Sequence, residues 1–516
     1  MNITRHFLDV ASRRVHYRKA GSGPPLLMVH QSPRSSAEYE GLMREWGAHF
    51  TCIAPDTPGF GQSDPLAGAP DIGDFAEAII AFLDAAGLGK VAAYGFHSGG
   101  IILVSALRRH PERFAALAVG GYAVWTEAEQ ALFDQAYLPP FRPSAYGEHL
   151  AWLWNRLLEQ SWFFPWFDVR PPARLPLAHA DPVRVDAAAR ELLDSGDAYR
   201  AGYGAVLRAP RDIPDADAQT PPVLITAYDG DPLQAHLARL GALPARWEAR
   251  AVATMGDHRA ASLAFLRGHP ARASAAPGQM LDEGFVRVTG GGFDGLIHWR
   301  GDRAARRILL HAPGGSTELL DAAGVLLIDL PGHGLSDDFH GAGDLAAWEA
   351  AVAAAVTAIS TASARSIVGE GVSALLALAV ARRVGAATVE AFDAHIPFAR
   401  DGAAWLASQP DPAPDRFGGH LTRAWGMARA SRLFWPWFRA DAAHAIPFEP
   451  GDLAPERLAL AHRSLIRGRA AGPLLAALLG ADRAALVAAA PPITNWQCAD
   501  WANDHPEIWT PQAGEN

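Results

Sequence analysis

Three residues in the first half of the chain have the types that nucleophilic catalysis needs: Ser98, Asp231 and His258. Each follows a short apolar segment, in VAAYGFHSGG, PPVLITAYDGDPL and VATMGDHRAAS. A serine hydroxyl becomes nucleophilic when a histidine takes its proton, and a carboxylate holds that histidine in the correct tautomer. The chain order serine, acid, histidine suits a sheet whose strands end beside one another. We therefore predict a catalytic triad of these residues.

Two points in this prediction stay open. Asp229 follows the same strand as Asp231, although Asp231 begins the loop proper and is preferred as the acid. The SGG motif after a strand also fits an ordinary helix start, because serine is a favoured capping residue. The prediction that Ser98 is the nucleophile is strengthened because an acid and His258 follow it along the chain.

Acyl chemistry also needs N–H donors for a developing oxyanion, and backbone amides are the usual source. The N–H of Gly99 directly follows Ser98 at the start of the next helix, where negative charge is favoured. The N–H of Ser32 lies in the loop after the apolar run LLMVH. We expect Ser32 and Gly99 to form the oxyanion hole.

The elements that must position these residues alternate between strands and helices. The predicted strands cover residues 25–29, 52–54, 91–94, 115–119, 223–227 and 247–254, and the predicted helices residues 74–86, 101–109 and 260–266. Such alternation predicts a mostly parallel sheet with helices on both faces. Reacting groups in these sheets lie on loops beyond the carboxyl ends of the strands.

Sequence motifs recur in the same order in both halves, which indicates a tandem duplication. DTPGFGQSD at 56–64 returns as DLPGHGLSD at 329–337, and FFPWF at 163–167 returns as FWPWF at 434–438. Pro, Gly and Ser without periodicity indicate a linker between the halves. We predict a domain over residues 1–270 with a lid at about 122–218, a linker over 271–283, and a second domain over 284–516 with a lid at about 395–480.

The second half lacks the predicted nucleophile. Matching RR at 108–109 with RR at 382–383 places Val372 opposite Ser98, and a slip of one residue places Gly371 there. Neither residue has a nucleophilic side chain. The motif APPITNWQCADW stands where the first half continues into its acid loop, last strand and histidine helix. We expect a truncated, catalytically inactive copy.

The motifs HQSP, DTPGFGQSD, GFHSGG, AYDGDP and GDH resemble the α/β-hydrolase fold superfamily over residues 1–270, and the second half resembles the same fold. The resemblance implies the α/β class, with two tandem α/β-hydrolase-like domains, each a mostly parallel sheet flanked by helices with a helical lid insert. It implies no metal and no organic cofactor. Two residues depart from the usual pattern: Gln31 replaces the glycine of the oxyanion loop, and the bulky Phe96 stands two residues before Ser98, where a small residue is usual.

The lid insert is rich in Trp, Phe and Leu, which favours a substrate with an apolar acyl or alcohol group. Possible substrate-binding residues are Gln31, Arg34, Phe96, His97, Trp125, Trp152 and Trp162. For Arg34 the alternative is a solvent-exposed side chain.

Composition limits the classes of partner. The chain has 516 residues, a formal net charge of −10 and no run of Lys and Arg, so nucleic acid is not expected as a partner. The two cysteines lie far apart and define neither a disulfide framework nor a metal site. The N-terminus lacks an apolar signal region and no long uncharged apolar run occurs, so we expect a cytoplasmic protein without membrane contact. The oligomeric state stays open.

These features predict a serine hydrolase that cleaves a carboxylic ester or related acyl compound through an acyl-enzyme. The same triad would also serve a C–C bond hydrolase or an acyltransferase, and a ligand-binding protein with a vestigial triad is a further alternative. Dehalogenase and epoxide-hydrolase chemistry is disfavoured, because relatives of that type need a carboxylate at the position of Ser98.

Overall fold

The computed structural model describes residues 2–176, 178–272, 282–340, 343–397, 401–498 and 508–509. The chain divides into two compact units, the first comprising Met1–Arg142 and Ala151–Leu281, the second Pro143–Leu150 and Asp282–Asn516. Most of the predicted linker, residues 273–281, lies outside the described residues. The predicted domain boundaries stay a prediction.

The first unit contains an eight-stranded sheet in the order β1-β2-β4-β3-β5-β6-β7-β8. Its strands are β1 (Ile3–Val10), β2 (Arg13–Ala20), β3 (Pro25–Val29), β4 (Thr51–Pro55), β5 (Val91–Phe96), β6 (Phe114–Gly120), β7 (Val223–Tyr228) and β8 (Trp247–Val252). Strands β1 and β2 pair antiparallel, β2 pairs antiparallel with β4, and the pairs from β4 to β8 are parallel. The carboxyl ends of the parallel strands therefore meet at one edge.

Strands β3 and β5 are buried on both faces, so both are almost wholly apolar. Successive side chains of a strand point to opposite faces. Leu27 and Ala93 belong to one hydrophobic cluster, and their neighbours Leu26 and Tyr94 belong to another. The central strands are thus covered on both sides.

The helices of the first half lie between these strands in the chain, except α8, which follows β8. They are α1 (Glu40–Trp46), α2 (Ile72–Ala85), α3 (Ser98–Arg109), α4 (Glu127–Ala136), α5 (Glu148–Trp162), α6 (Pro182–Ser195), α7 (Tyr199–Leu207) and α8 (Met255–Arg267). Helices α4 to α7 all fall between β6 and β7, in the segment predicted as a lid. Helix α8 begins five residues earlier than the predicted helix over 260–266.

The second unit contains a seven-stranded sheet in the order β16-β14-β13-β11-β12-β10-β9. Its strands are β9 (Glu283–Gly290), β10 (Phe293–Gly301), β11 (Arg307–Leu310), β12 (Leu326–Ile328), β13 (Ser366–Glu370), β14 (Thr388–Ala394) and β16 (Ile493–Cys498); β15 (Ile396–Pro397) pairs with β17 (Ile508–Trp509). Its helices are α9 (Leu345–Ile359), α10 (Ala374–Val384), α11 (Gly402–Ala407), α12 (Gly419–Ala430), α13 (Pro455–Arg467), α14 (Ala471–Leu479) and α15 (Arg483–Ala489). Reversed, the order of these seven strands repeats that of the first seven strands of the other sheet, and the described residues contain no counterpart of β8.

A buried histidine–aspartate pair follows the same strand in both units. In the first, Nδ1 of His16 lies 2.9 Å from Oδ2 of Asp56, directly after β4. In the second, Nδ1 of His298 lies 2.8 Å from Oδ2 of Asp329, directly after β12. The repeated DxPGxGxSD motif therefore serves the fold in both copies.

These observations confirm the predicted class: two mostly parallel sheets flanked by helices. No single described helix is long and apolar enough to cross a bilayer. Helices α14 and α15 together would have the length and composition, but they are bent by 83° relative to each other.

Candidate active site

The sharp turn between β5 and α3 is centred on His97. Strand β5 ends at Phe96 and helix α3 begins at Ser98, while His97 has φ 48° and ψ −114°. A positive φ is unfavourable for a residue with a side chain, and such strain is concentrated at functional sites. His97 therefore stands at the apex of the turn, with its side chain in the wall of a cavity.

Two glycines allow this turn to form. A Cβ at Gly95 would lie 2.6 Å from the carbonyl carbon of Gly99. A Cβ at Gly99 would overlap the carbonyl oxygen of Val29 in β3. The glycines lie two residues before and two residues after His97, which is the spacing of a nucleophile elbow. The prediction that Ser98 occupies the apex is corrected by one residue: Ser98 is the first residue of the helix.

The apex histidine is hydrogen-bonded to the predicted acid. Nε2 of His97 lies 3.1 Å from Oδ1 and 3.3 Å from Oδ2 of Asp231. The carboxylate is fully buried and also accepts the N–H of Leu233 at 2.8 Å. Burial would raise the pKa of Asp231, but the charge and hydrogen bond of His97 and the Leu233 amide hold this pKa below its usual value.

Gly121 leaves the space for this contact. A Cβ at Gly121 would lie 2.8 Å from Nε2 of His97 and 2.9 Å from Oδ2 of Asp231. The alternative acid, Asp229, instead accepts a hydrogen bond from Nε2 of Gln234 at 2.6 Å. Of the two carboxylates, Asp231 is therefore the one that meets a histidine.

His258 is near enough to His97 and Asp231 for their charges to affect its pKa, but its hydrogen bonds go to other residues. Its Nδ1 is 2.6 Å from the hydroxyl of Thr226 and its Nε2 is 2.9 Å from the hydroxyl of Tyr94. The side chain is fully buried, and this burial is the main cause that lowers the pKa of His258 to about 4. Both ring nitrogens are thus occupied inside the core, and the predicted relay from Ser98 through His258 to Asp231 is not formed.

A capping box explains the displacement of His258. Thr254 caps α8 by accepting the N–H of Asp257, and the carboxylate of Asp257 accepts the N–H of Thr254. These reciprocal bonds start the helix at Met255. His258 consequently falls in the first turn of the helix instead of the preceding loop, and Met255 lines the cavity in its place.

One predicted oxyanion donor does reach the elbow. The N–H of Ser32 donates to Oγ of Ser98 at 2.8 Å. With His97 at the apex, the residue that follows it is Ser98, so the second amide expected for an oxyanion hole is that of Ser98 rather than Gly99. Gly99 instead allows α3 to pack directly on β3.

Glu38 holds the loop that carries Ser32. Its carboxylate accepts the backbone N–H of Gln31 at 2.8 Å and the side-chain Nε2 of Gln31 at 3.0 Å. Burial raises the pKa of Glu38 to about 7, against the opposing charge of Arg34 and these hydrogen bonds. Gln31, the departure in this loop, is therefore anchored on both its backbone and its side chain.

A cavity of about 350 Å³ lies against the elbow. Its lining includes these residues singled out from the sequence: Gln31, Ser32, Phe96, His97, Ser98 and Trp125. Arg34 instead forms an ion pair with Glu191. Trp162 donates its Nε1–H to the carbonyl of His179 at 2.7 Å, and the ring of Trp152 packs against other aromatic rings of the lid. Neither tryptophan lines the cavity.

Several residues that line the cavity were not predicted from the sequence, among them Gln160, Arg184, Tyr228 and Met255. For Tyr228 a signal exists, since it ends the strand that precedes the acid loop. Gln160 and Arg184 carry no such signal, because they lie within lid helices whose cavity-facing side is decided by packing.

Comparison with known proteins identifies the fold of one segment of the chain. The family model described as alpha/beta hydrolase fold matches residues 24–197. This segment contains the Ser32 loop, the elbow and part of the lid. These residues belong to the α/β-hydrolase fold family.

Relatives of this hydrolase-fold unit share modest identity with the chain. Haloalkane dehalogenase 2 of Mycobacterium tuberculosis is 26% identical over 225 residues, which are 42% of this chain and 76% of that protein. A haloalkane dehalogenase of Mesorhizobium japonicum is 27% identical over 240 residues, covering 44% and 70%. A soluble epoxide hydrolase of Corynebacterium sp. is 35% identical over 101 residues, covering 19% and 35%.

Solved structures to which this chain is similar include an esterase and an epoxide hydrolase. The thermophilic esterase from Thermogutta terrifontis has a TM-score of 0.38 and 17% identity, covering 52% of this chain and 99% of that chain. Epoxide Hydrolase A from Mycobacterium thermoresistibile has a TM-score of 0.41 and 17% identity, covering 52% and 100%.

The second unit has a glycine where the hydrolase-fold unit has its apex histidine. Gly371 follows β13 with φ 56° and is followed by the buried Val372 and Ser373. The adjacent carboxylate of Glu370 is partly buried and accepts the N–H of Ala312 at 2.8 Å. The elbow of this unit therefore keeps the positive φ, which glycine adopts without strain, and has no side chain at its apex.

The described residues were also compared with the ligand sets that metal sites need. Within those residues, no group of three or more His, Cys, Asp or Glu side chains converges as metal ligands would.

Proposed function

We propose that the hydrolase-fold unit cleaves a carboxylic ester or related acyl compound, with His97 as general base and Asp231 as its orienting carboxylate. The observation that carries the proposal is the His97–Asp231 contact at the apex of the elbow, in the wall of a cavity that also contains Ser32. A histidine held by a buried carboxylate is a base suited to neutral pH. The lining is mixed, and its apolar part, which includes Trp125 and Phe164, suits a small substrate with an apolar portion.

The proposed reaction follows from the atoms at the elbow. Asp231 accepts a hydrogen bond from the Nε2–H of His97, which leaves the unprotonated Nδ1 as the basic nitrogen. Within the described residues Nδ1 has no hydrogen-bond partner. A water molecule gives a proton to Nδ1 while its oxygen attacks the carbonyl carbon. The carbonyl oxygen takes the negative charge, and the N–H of Ser32 exchanges its bond to Oγ of Ser98 for one to this oxygen. Collapse then breaks the acyl bond. The leaving alcohol takes the proton from Nδ1.

Ser98 supports a second candidate, the acyl-enzyme route predicted from the sequence. Its Oγ faces the same cavity and already receives the N–H of Ser32 at 2.8 Å. In this conformation both nitrogens of His258 are engaged, so the base for Ser98 would be His97. A C–C bond hydrolase, an acyltransferase and a ligand-binding protein remain alternatives on the same residues.

The elbow sequence GFHSGG contains no carboxylate. This supports acyl hydrolysis over the dehalogenase chemistry named for the relatives, which on the resemblance above requires a carboxylate at the elbow. The cytoplasmic location predicted from the sequence stays a proposal.

Hydrolysis of a panel of p-nitrophenyl esters by the full chain tests both routes. We expect His97→Gln to lower kcat/KM by about 10²–10⁴, the usual contribution of a general base, and His258→Asn to retain activity where it folds. Under the first route Ser98→Ala keeps most of the activity, and a fluorophosphonate probe leaves Ser98 unlabelled.

The opposite outcomes select the alternatives. Loss of activity in Ser98→Ala, together with a covalent adduct on Ser98 in the mass spectrum, would establish the acyl-enzyme route. A single burst without turnover would indicate a binding protein. Full activity in His97→Gln would refute the proposal.

A further inference from the structure

One lid residue carries the only permanent charge among the described residues that line the cavity. This residue is Arg184 of α6, and no carboxylate side chain lines the same wall. Its side chain is exposed, and its guanidinium forms no ion pair or hydrogen bond with any residue that the structure describes. An arginine at a cavity without a protein partner is available to an anionic ligand.

Gln160 of α5 presents a donor to the same cavity. Its Oε1 accepts a hydrogen bond from Nη1 of Arg156 at 2.9 Å. An amide whose oxygen is engaged in this way offers its NH₂ group to its remaining surroundings. Because Gln160 lines the cavity, this amide adds a hydrogen-bond donor to the lid side.

Arg156 places a buried positive charge behind Gln160. It is 2% exposed and lies over the rings of Trp166 and Tyr199, with its Cζ 5.2 and 5.9 Å from their centroids. Its Nε and Nη2 have no partner among the described residues. A buried guanidinium without a counterion is costly, so an anion bound close to it would offset part of that cost.

Backbone contacts bring these groups to one region of the lid. The hydroxyl of Ser161 and the indole N–H of Trp162 both donate to the carbonyl of His179, at 3.0 and 2.7 Å. This ties the segment before α6 to the end of α5. Arg184 is close enough that its charge helps to lower the pKa of His179, after burial.

We infer that the substrate carries a carboxylate, which the lid binds through Arg184 and the amide of Gln160, with Arg156 adding positive charge behind them. The inference rests on the proposed function for the position of the scissile bond at His97. The same cavity is also lined by the apolar side chains of Trp125, Phe164 and Leu175. The substrate class is therefore an acyl compound with an apolar middle and a carboxylate remote from the bond that is cleaved, such as a hemiester of a dicarboxylic acid.

Direct binding tests the inference without turnover. The full chain is titrated calorimetrically with 4-phenylbutyrate and with its uncharged analogue 4-phenylbutanamide. We expect the carboxylate to bind about tenfold more tightly, and Arg184→Gln to remove this preference while leaving the amide affinity unchanged. Arg170→Gln is the matched control, because Arg170 is an exposed lid arginine that pairs with Asp168. It should behave as wild type.

Gln160→Leu provides a second variant that leaves both arginines in place, and we expect it to weaken carboxylate binding more than amide binding. Equal affinity of the two ligands for wild type, binding of neither, or an unchanged preference in Arg184→Gln would overturn the inference. In turnover, kcat/KM for mono-p-nitrophenyl glutarate should exceed that for p-nitrophenyl pentanoate. If no ester is cleaved while the carboxylate preference persists, the proposed function fails and the carboxylate subsite stands.

Discussion

Asp231 and His97 lie 134 positions apart in the chain, yet Nε2 of the histidine is 3.1 Å from Oδ1 of the aspartate. His97 follows β5 and Asp231 follows β7, and β6 lies between these strands in the sheet. Gly121, just after β6, has no side chain to block the contact. The parallel sheet thus brings the acid to the elbow apex, and not to the histidine of α8.

We expect Asp231→Asn to reduce kcat/KM by about 10²–10⁴, because an amide no longer fixes the tautomer of His97. Asp229→Asn is the matched control. Asp229 contacts Gln234 at the surface, so its variant should keep activity close to wild type. The measurement is steady-state hydrolysis of one p-nitrophenyl ester by both variants. Equal losses would show that the His97–Asp231 contact has no catalytic role.

The sequence predicted the strands and the loop of the acid, because both depend on local pattern. It predicted the duplication because motifs return in the same order in both halves. The apex was misplaced by one residue because serine is the familiar nucleophile. The glycine spacing held the correct signal: Phe96 fits poorly two residues before a nucleophile at Ser98, whereas Gly95 and Gly99 flank His97 symmetrically.

The placement of His258 failed for a different physical reason. The sequence contains the Thr254–Asp257 capping box, which starts the helix earlier than hydrophobic spacing alone suggested. Partners from distant strands then complete the environment of the ring: Thr226 of β7 and Tyr94 of β5. Such long-range contacts are not visible in local sequence, and neither is the choice between Trp125, which lines the cavity, and Trp152, which does not.

Gly99→Ala should lower the free energy of unfolding by on the order of 1–3 kcal/mol, as overpacking in a core does. The added Cβ would overlap the carbonyl oxygen of Val29, and backbone atoms on both sides leave little room for adjustment. Gly41→Ala is the control, because no heavy atom lies within 4 Å of its Cβ position. Denaturant unfolding of both variants is the check. A Gly99→Ala protein as stable as Gly41→Ala would contradict the close packing of α3 on β3.

His258 should make the protein less stable in acid. Its pKa is lowered from 6.5 to about 4 in the folded state, mainly by burial. The unfolded chain therefore takes up this proton first, and stability is lost as the pH falls from 6.5 towards 4. We expect His258→Asn to be less stable than wild type at neutral pH, where it loses contacts with Thr226 and Tyr94, but to lose less further stability on acidification.

Melting temperatures across that pH range check this prediction. His49→Asn serves as the control, because His49 is exposed and its removal should leave the pH dependence parallel to that of wild type. If the melting temperature of His258→Asn also changes with pH in parallel with that of wild type, then the buried ring does not contribute to the loss of stability in acid.

The elbow of the second unit should be dispensable for turnover. Ser373 is fully buried, and within the described residues its Oγ has no hydrogen-bond partner. An unpartnered buried hydroxyl costs free energy, so Ser373→Ala should keep or raise the melting temperature. Val372→Ala should lower it instead, because Val372 belongs to the hydrophobic core of that unit. In both variants we expect ester hydrolysis to match wild type, since Gly371 puts no side chain at the apex. A loss of kcat/KM in Ser373→Ala with an unchanged melting temperature would mean that the second copy takes part in the reaction.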